Sequence, residues 1–338
     1  MKAVVLHEYG GPEKLTYEDW DDPHAGDQQM VIRVTAAGIN PIDWKIRSGM
    51  MKSYMPLELP TILGYDYSGV VHSVGGGVQG YAKGDEVFGR ASKAYAEYLL
   101  ADPKGIAKLP EGLDLIEAAA LPVVLNTGEQ LINQVGKVRA GQTVIITGAL
   151  GSVGRTAVWV AKKIGAHVIA GVRGSQKKAA EELGADSVLA LDSSEEIAAL
   201  GSVDVVADTI GGAVGSALLA KVAAGGTYAS VVGPIRMQSA CVRWRKTSPI
   251  RSSKFLSIAN YHWQKPRRRT PKRKRVAAVR CFCWRNATPR QRAVVRVFYC
   301  FEPPVWGLFL ASVTPEWHIE PHATASSVPG IRIALQFR

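Results

Sequence analysis

The first 234 residues contain no cysteine. All four in the chain (Cys241, Cys281, Cys283 and Cys300) come later, so this body can form neither a disulfide nor a thiolate metal site from its own side chains. The last 104 residues lack something else, holding only two of the 34 glycines and three of the 29 acidic residues. A segment so short of glycine and of one charge sign, and rich instead in Arg, Trp, Cys and Pro, does not look selected to bury a core. The net charge of +12 is therefore misleading as an average. Residues 1–234 carry 20 Lys and Arg against 26 Asp and Glu, a net of −6, whereas residues 235–338 carry 21 against 3, a net of +18. Only the tail supports a nucleic-acid or membrane-surface binder. Long apolar runs are also missing. His7 and Glu8 follow four apolar residues at the N-terminus, too few for the apolar core of a signal peptide. Glu302, Pro303 and Pro304 interrupt the most apolar part of the tail, so no stretch reaches the roughly 18 residues that span a bilayer. These absences predict a cytoplasmic protein with no membrane partner.

What is present in the body is two textures in succession. Up to about Leu121 the chain reads as short strands and turns. Lys2 to His7 is apolar and branched, Gln29 to Ala36 alternates, and Ser68 to Val74 is a β-branched run closed by Gly75-Gly76-Gly77. Beyond Pro122 the periods alternate between strand and helix: TVIIT (Thr143–Thr147), a helix from Val153 to Ile164, then a strand from His167 to Val172. The alternation continues with strands at Ser187 to Leu191, Val203 to Asp208 and Thr227 to Val232, separated by helices at Gln176 to Leu183, Ser194 to Leu200 and Val214 to Val222. Strands that are apolar throughout are buried on both faces, and helices of a dozen residues or fewer suit parallel crossovers. The fold class is α/β, with a β-rich first domain and five strands of a doubly wound sheet.

Gly148-Ala149-Leu150-Gly151-Ser152-Val153-Gly154 follows the first of those strands and runs straight into a helix. Glycines let backbone pass close to a pyrophosphate, and the free N–H groups of Ser152, Val153 and Gly154 at the helix start favour its negative charge. About twenty residues further on, where an NAD enzyme places an acid on the ribose 2′-hydroxyl, stands Arg173-Gly174-Ser175-Gln176-Lys177-Lys178. Arg173, Ser175, Lys177 and Lys178 offer the cations and hydroxyl that a 2′-phosphate needs, which predicts NADP(H). The alternative reading of the lysines is the solvated first turn of a helix.

Six stretches then carry a resemblance: AAGINPIDWKIRSG (Ala36–Gly49), LPTILGYDYSGVVHSVGGGV (Leu59–Val78), KGDEVFG (Lys83–Gly89), AEYLL (Ala96–Leu100), EAAALPVVLNTGEQLI (Glu117–Ile132) and GQTVIITGALGSVG (Gly141–Gly154). In this order and spacing the body resembles the zinc-independent, quinone-oxidoreductase-like branch of the medium-chain dehydrogenase/reductase superfamily. The resemblance implies a GroES-like catalytic domain over 1–122 and a Rossmann NADP-binding domain over 123–234, incomplete because the chain then departs from the family. It implies an NADPH-dependent reductase of quinones, enones or related carbonyls, with Asn40, Tyr65 and Thr127 as catalytic-site residues and Gly148, Leu150, Gly151, Ser152, Val153, Gly154 and Val232 among the cofactor contacts. Zinc-dependent relatives carry Cys where Asn40 stands and Gly-His-Glu where Gly64-Tyr65-Asp66 stands, so no catalytic metal is expected. A homodimer is implied where the sheet edge is intact. Asp43 and Asp66 read as holders of loops through backbone N–H groups, and Asp208, at the end of the fourth strand, as a structural residue or at most a ribose contact.

Residues 235–338 break the pattern. They are an Arg-, Trp- and Cys-rich tail with no sustained period, irregular and disordered or out of frame, and Lys265 to Arg275 holds eight basic residues in eleven. Two readings compete with the reductase: a nucleic-acid-binding protein acting through that run, although nucleic acid is not the expected partner, and an inactive, frameshifted relative. The frameshift makes a direct prediction. Shifting the frame of the coding DNA by one or two bases after codon 234 is expected to restore a glycine-containing, acid-bearing continuation that ends in an apolar strand. An intact gene with no such alternative frame refutes it.

Overall fold

The computed structural model describes residues 1–232, 243–246 and 281–283. The remainder of the tail, with the disorder, frame and nucleic-acid readings attached to it, lies outside the described residues. The chain divides into two compact units, with the change at Val123/Val124.

In the first unit the strands are β1 (Lys2–Leu6), β2 (Leu15–Asp19), β3 (Met30–Gly38), β4 (Thr61–Ile62), β5 (Asp66–Val74), β6 (Glu86–Arg90), β7 (Tyr98–Ala101) and β8 (Ile106–Lys108). The helices are short, α1 (Pro41–Arg47) and α2 (Leu115–Ala118). β1 is flanked by β2 and β4 in a small antiparallel sheet, while β3, β5, β6 and β8 form a second sheet in that order, with β7 also on β3. Ala3, Val4, Val5 and Leu6 join Met30, Ile32, Val34, Tyr67, Val71 and Leu99 in one core. Along β3, Ile32 and Val34 are buried while Arg33 and Thr35 between them are half-buried, the alternation read in the second half of QMVIRVTA; Met30, Val31 and Ile32 are all buried. Gly69 faces the carbonyl of Arg33, where no Cβ would fit, and the β3–β5 register shifts between Val34 and Ala36 close by.

The second unit begins within α3 (Pro122–Gln130) and holds β9 (Thr143–Thr147), α4 (Ser152–Ile164), β10 (His167–Val172), α5 (Lys177–Ala180), β11 (Ser187–Ala190), α6 (Ser194–Ala199), β12 (Val203–Asp208), α7 (Gly212–Leu219) and β13 (Val222–Ser230). The sheet order β11-β10-β9-β12-β13 is parallel throughout. Both faces are covered. Val144 and Ile146 pack with Val168, Ala170, Val205 and the α4 residues Ala157, Val158 and Ala161, whereas Ile145 points the other way, with Ile169, Leu189, Val206, Leu218 and Tyr228. That double burial is why these strands read as unbroken apolar runs.

Two tail segments are strands: β14 (Arg243–Lys246) runs parallel beside β13 in the sixth place of the sheet, and β15 (Cys281–Cys283) pairs antiparallel with β3. The sequence offered no sustained period for either. Two further differences are local. The helix expected over Gln176 to Leu183 has only one α-helical turn, flanked by 3₁₀ turns at Gly174–Gln176 and Glu181–Leu183. Thr127 to Val138 has helical spacing in the sequence; the helix begins earlier, at Pro122, and its end widens into a π-helical segment, Leu131–Gly136.

At the C-terminal ends of the central strands sits Asp208, fully buried. Its Oδ1 accepts from Thr147 Oγ1 (2.8 Å), the Gly211 N–H (3.0 Å) and the Ile210 N–H (3.1 Å). Its Oδ2 accepts from Tyr228 (2.8 Å) and Ser230 (3.2 Å). One carboxylate therefore joins β9, β12 and β13 and shapes the turn after β12. Removing a buried acceptor leaves its donors unsatisfied, at about 1–3 kcal/mol each for the worst placed. Asp208→Ala is expected to lower the unfolding free energy by about 3 kcal/mol or more, read by urea titration. A change below about 1 kcal/mol would show that the cluster is dispensable.

Candidate active site

In the second unit, Gly148 leaves β9 with φ +62°, and Gly151 brings the chain back in extended geometry as the residue before α4. A Cβ at Gly148 would lie 2.5 Å from Thr209 Oγ1, and one at Gly154 would overlap the Gly148 carbonyl. The loop closes with the Gly151 N–H on the Gly148 carbonyl, 2.8 Å. Thr209 pins it from below, donating Oγ1 to the Thr147 carbonyl (2.7 Å) while its N–H reaches Thr147 Oγ1 (2.8 Å). No side chain caps α4, and Gly151 and Ser152 are exposed. A glycine-lined helix start with uncapped amides fits a pyrophosphate. Leu150 and Val153 are half-buried beside it.

Three other side chains belong to this neighbourhood. Val232 and Ile210 are large apolar residues left exposed, at 43% and 48%; both lie against the glycines of these two turns, Val232 at Gly211 and Ile210 at Gly148. Ile210 was not singled out in the sequence, although Asp208-Thr209-Ile210-Gly211-Gly212 is the kind of strand end, followed by glycines, that would flag it. Thr127 is half-buried on α3. Its neighbour Gly128 packs so closely against Thr156 and the Val153 carbonyl that a Cβ there would clash, which brings this stretch of α3 to the first turns of α4.

The Arg173–Lys178 segment follows β10. Gly174 donates its N–H to Asp192 Oδ1 (2.7 Å), and the Arg173 N–H reaches the Gln176 side chain (3.3 Å). Ser175 and Lys178 are exposed. Lys177 is engaged: its Nζ lies 2.9 Å from both carboxylate oxygens of Glu196. Glu196 Oε2 also accepts the Ala190 N–H at 2.9 Å, and the lysine together with this amide holds the Glu196 carboxyl below the usual carboxylate range. Glu196 sits nineteen residues from Lys177 on a separate helix, and nothing in the local sequence signalled the pair.

In the first unit Asn40 precedes α1 and is buried. Its N–H donates to Asp43 Oδ2 (2.6 Å), which also accepts from the Tyr95 hydroxyl (2.8 Å). Its side-chain Nδ2 donates to Asp66 Oδ2 (2.9 Å), and both Asp66 oxygens lie 3.1 Å from the Val123 N–H. Asp43 and Asp66 thus hold backbone amides. Burial pushes the Asp66 carboxyl up to about 7 and the Asp43 carboxyl up to about 6, against the opposing pull of their hydrogen bonds. Tyr65 is half-buried with the Arg90 guanidinium 5.2 Å from its ring centre, and burial raises its phenol further above the ordinary value. Among the described residues no three His, Cys, Asp or Glu side chains form a group able to hold a metal ion, and no helix is long and apolar enough to cross a membrane.

The described geometry has counterparts elsewhere. Residues 26–111 match the alcohol dehydrogenase GroES-like domain family and residues 152–264 the zinc-binding dehydrogenase family. The quinone oxidoreductase of Homo sapiens is 39% identical over 182 residues, 52% of this chain and 55% of that protein. The chloroplastic NADPH-dependent alkenal/one oxidoreductase of Arabidopsis thaliana is 35% identical over 230 residues, 62% of this chain and 58% of that protein. The chain thus spans little more than half the length of these curated relatives. Among solved structures, the quinone oxidoreductase from Coxiella burnetii superposes with a TM-score of 0.60 at 33% identity, covering 68% of this chain and 74% of that one. A mycobacterial protein complexed with NADPH gives 0.63 at 29%, covering 73% and 82%.

The buried acids generate a pH prediction. A carboxyl whose folded-state value is raised binds its proton more tightly folded than unfolded, so its ionisation disfavours folding as pH climbs from the ordinary carboxylate range to the raised value. For Asp66 that window runs from roughly pH 4 to about 7, with the penalty absent below it and complete above. Asp66→Asn is expected to flatten the fall in unfolding free energy between pH 5 and 8. An unchanged slope in urea titrations across that range would refute the assignment.

Proposed function

We propose that this chain, which belongs to the zinc-independent, quinone-oxidoreductase-like branch of the medium-chain dehydrogenase/reductase superfamily, reduces a quinone, enone or related carbonyl compound with NADPH and without a metal. One observation carries the reading: the uncapped glycine turn into α4 and the cations at the end of β10 belong to one parallel sheet. A pyrophosphate needs the first, and a 2′-phosphate the second. The names of the relatives, quinone oxidoreductase and alkenal/one oxidoreductase, support the substrate class.

NADPH, when bound, supplies the hydride. The amides of Ser152, Val153 and Gly154 hold its pyrophosphate, with Gly148, Leu150 and Gly151 shaping the turn. Arg173, Ser175, Lys177 and Lys178 hold the 2′-phosphate, and Val232 and Thr127 line the nicotinamide end. Asn40 and Tyr65 are assigned to the substrate. The Tyr65 phenol stays protonated at neutral pH and can donate to a substrate oxygen, the donor role that a metal fills in zinc enzymes. Asn40 and Tyr65 are not side chains that replace a zinc cysteine or histidine, and Asp66 is committed to Asn40 and Val123. A cytoplasmic location and a homodimer through the outer edge of the parallel sheet belong to the same reading.

A screen of NADPH oxidation with small quinones and enones on the full chain tests the reading. Turnover of at least one acceptor is expected, with NADPH favoured over NADH by about tenfold, the effect of one charge-assisted contact. Arg173→Ala should erase most of that preference while sparing NADH, and a chelator should leave the rate unchanged. Equal use of both coenzymes, or activity that requires zinc, overturns the proposal.

A further inference from the structure

The loop that carries the cations is bordered by two carboxylates from the next strand–helix connection. Asp192 follows β11 and takes the Gly174 N–H, and Glu196, in the first turn of α6, takes both the Ala190 N–H and the Lys177 ammonium. Ser193 caps α6 by accepting the Glu196 N–H at 3.2 Å. Glu196 is therefore anchored at its backbone and at its carboxylate, so it does not simply swing away when an anion arrives. Lys177 and Glu196 are 40% and 38% exposed, so the pair stands at the surface, where a 2′-phosphate would approach.

We propose that Glu196 is a specificity-determining residue that weakens discrimination for the 2′-phosphate by occupying Lys177. This rests on the NADPH reading above and deepens it. The physical argument has two parts. The fraction of molecules in which Lys177 is free for a phosphate is reduced by its pairing with Glu196, and apparent affinity falls by that fraction. An exposed ion pair is weak, so the competition costs several-fold rather than orders of magnitude. Glu196 also repels a dianionic phosphate directly, whereas a ribose 2′-hydroxyl feels no such repulsion. The cations of the sequence thus overstate the preference: one of them is held by a carboxylate that the chain itself supplies, and NADH is disfavoured less than Arg173, Lys177 and Lys178 together imply.

Fluorescence titration of the full chain with NADPH and with NADH tests this. Glu196→Gln retains an acceptor for the Ala190 N–H and removes only the charge. It is expected to tighten NADPH about three- to tenfold while NADH changes less than about twofold. In a Lys177→Gln background the same substitution should give a clearly smaller gain, because no lysine remains to be released. The proposal is overturned by an unchanged or weaker NADPH affinity in Glu196→Gln, by equal changes for both coenzymes, or by the same gain with and without Lys177. Unmutated protein that binds NADPH while Glu196→Gln fails to tighten it sinks this inference alone. Unmutated protein that binds neither coenzyme sinks the cofactor reading and the inference with it.

Discussion

The parallel unit depends on one buried carboxylate. Asp208 stands where three central strands end, and its five donors come from the ends of those strands and the turn after β12. Thr147 ends β9 and leads into Gly148, Gly211 and Ile210 form the turn after β12, and Tyr228 and Ser230 end β13. Thr209, fixed by Thr147, closes against Gly148 from beneath. A buried carboxylate is costly unless it is satisfied, and here burial together with Asp208 drives the Tyr228 phenol far above its ordinary value, keeping it a donor. The same interaction that stabilises the sheet thereby sets the shape of the glycine loop.

The first unit solves a related problem in the same way. Asn40 begins a helix of only seven residues, too short to hold its own position by helical hydrogen bonding. Asp43 and Asp66 secure it from two sides, one through its amide N–H and one through its side chain, and Tyr95 and Val123 tie those carboxylates to other segments. In both units, then, buried acids lying near candidate functional residues are acceptors for backbone amides.

Much of this was legible because the physics is local. TVIIT, HVIAGV and VDVVAD are β9, β10 and β12 to the residue, since strands buried on both faces are dense apolar runs that contrast with the helical and turn segments between them. The glycine loop was legible because its turn requires glycine twice. What escaped the sequence depends on neighbours distant along the chain. α5 is a single turn between 3₁₀ turns at Gly174–Gln176 and Glu181–Leu183, the second closed by Gly184 with φ +72°. β13 begins at Val222, earlier than Thr227, because its pairing with β12 resumes across an irregularity. Lys177 looked like an unpaired cation for the same reason: its partner is brought to it by the fold.

The electrostatics of the Asn40 cluster also bear on how a metal-free site could work. Hydride addition to an enone or quinone builds negative charge on the acceptor oxygen, and a full carboxylate nearby would oppose it. Burial raises Asp43 and Asp66 toward neutrality, up to about 6 and about 7, so the acids that lock Asn40 in place carry less negative charge than two exposed carboxylates would. Arg90 adds an opposing positive charge to both, and its guanidinium lies over Tyr65. On the proposed reading, the cluster therefore combines rigid support for a substrate-facing amide with a small net field, and the Tyr65 hydroxyl is free to donate where the charge develops. A zinc ion would supply a stronger field, but enones and quinones require less polarisation than an isolated ketone, and for them positioned donors suffice.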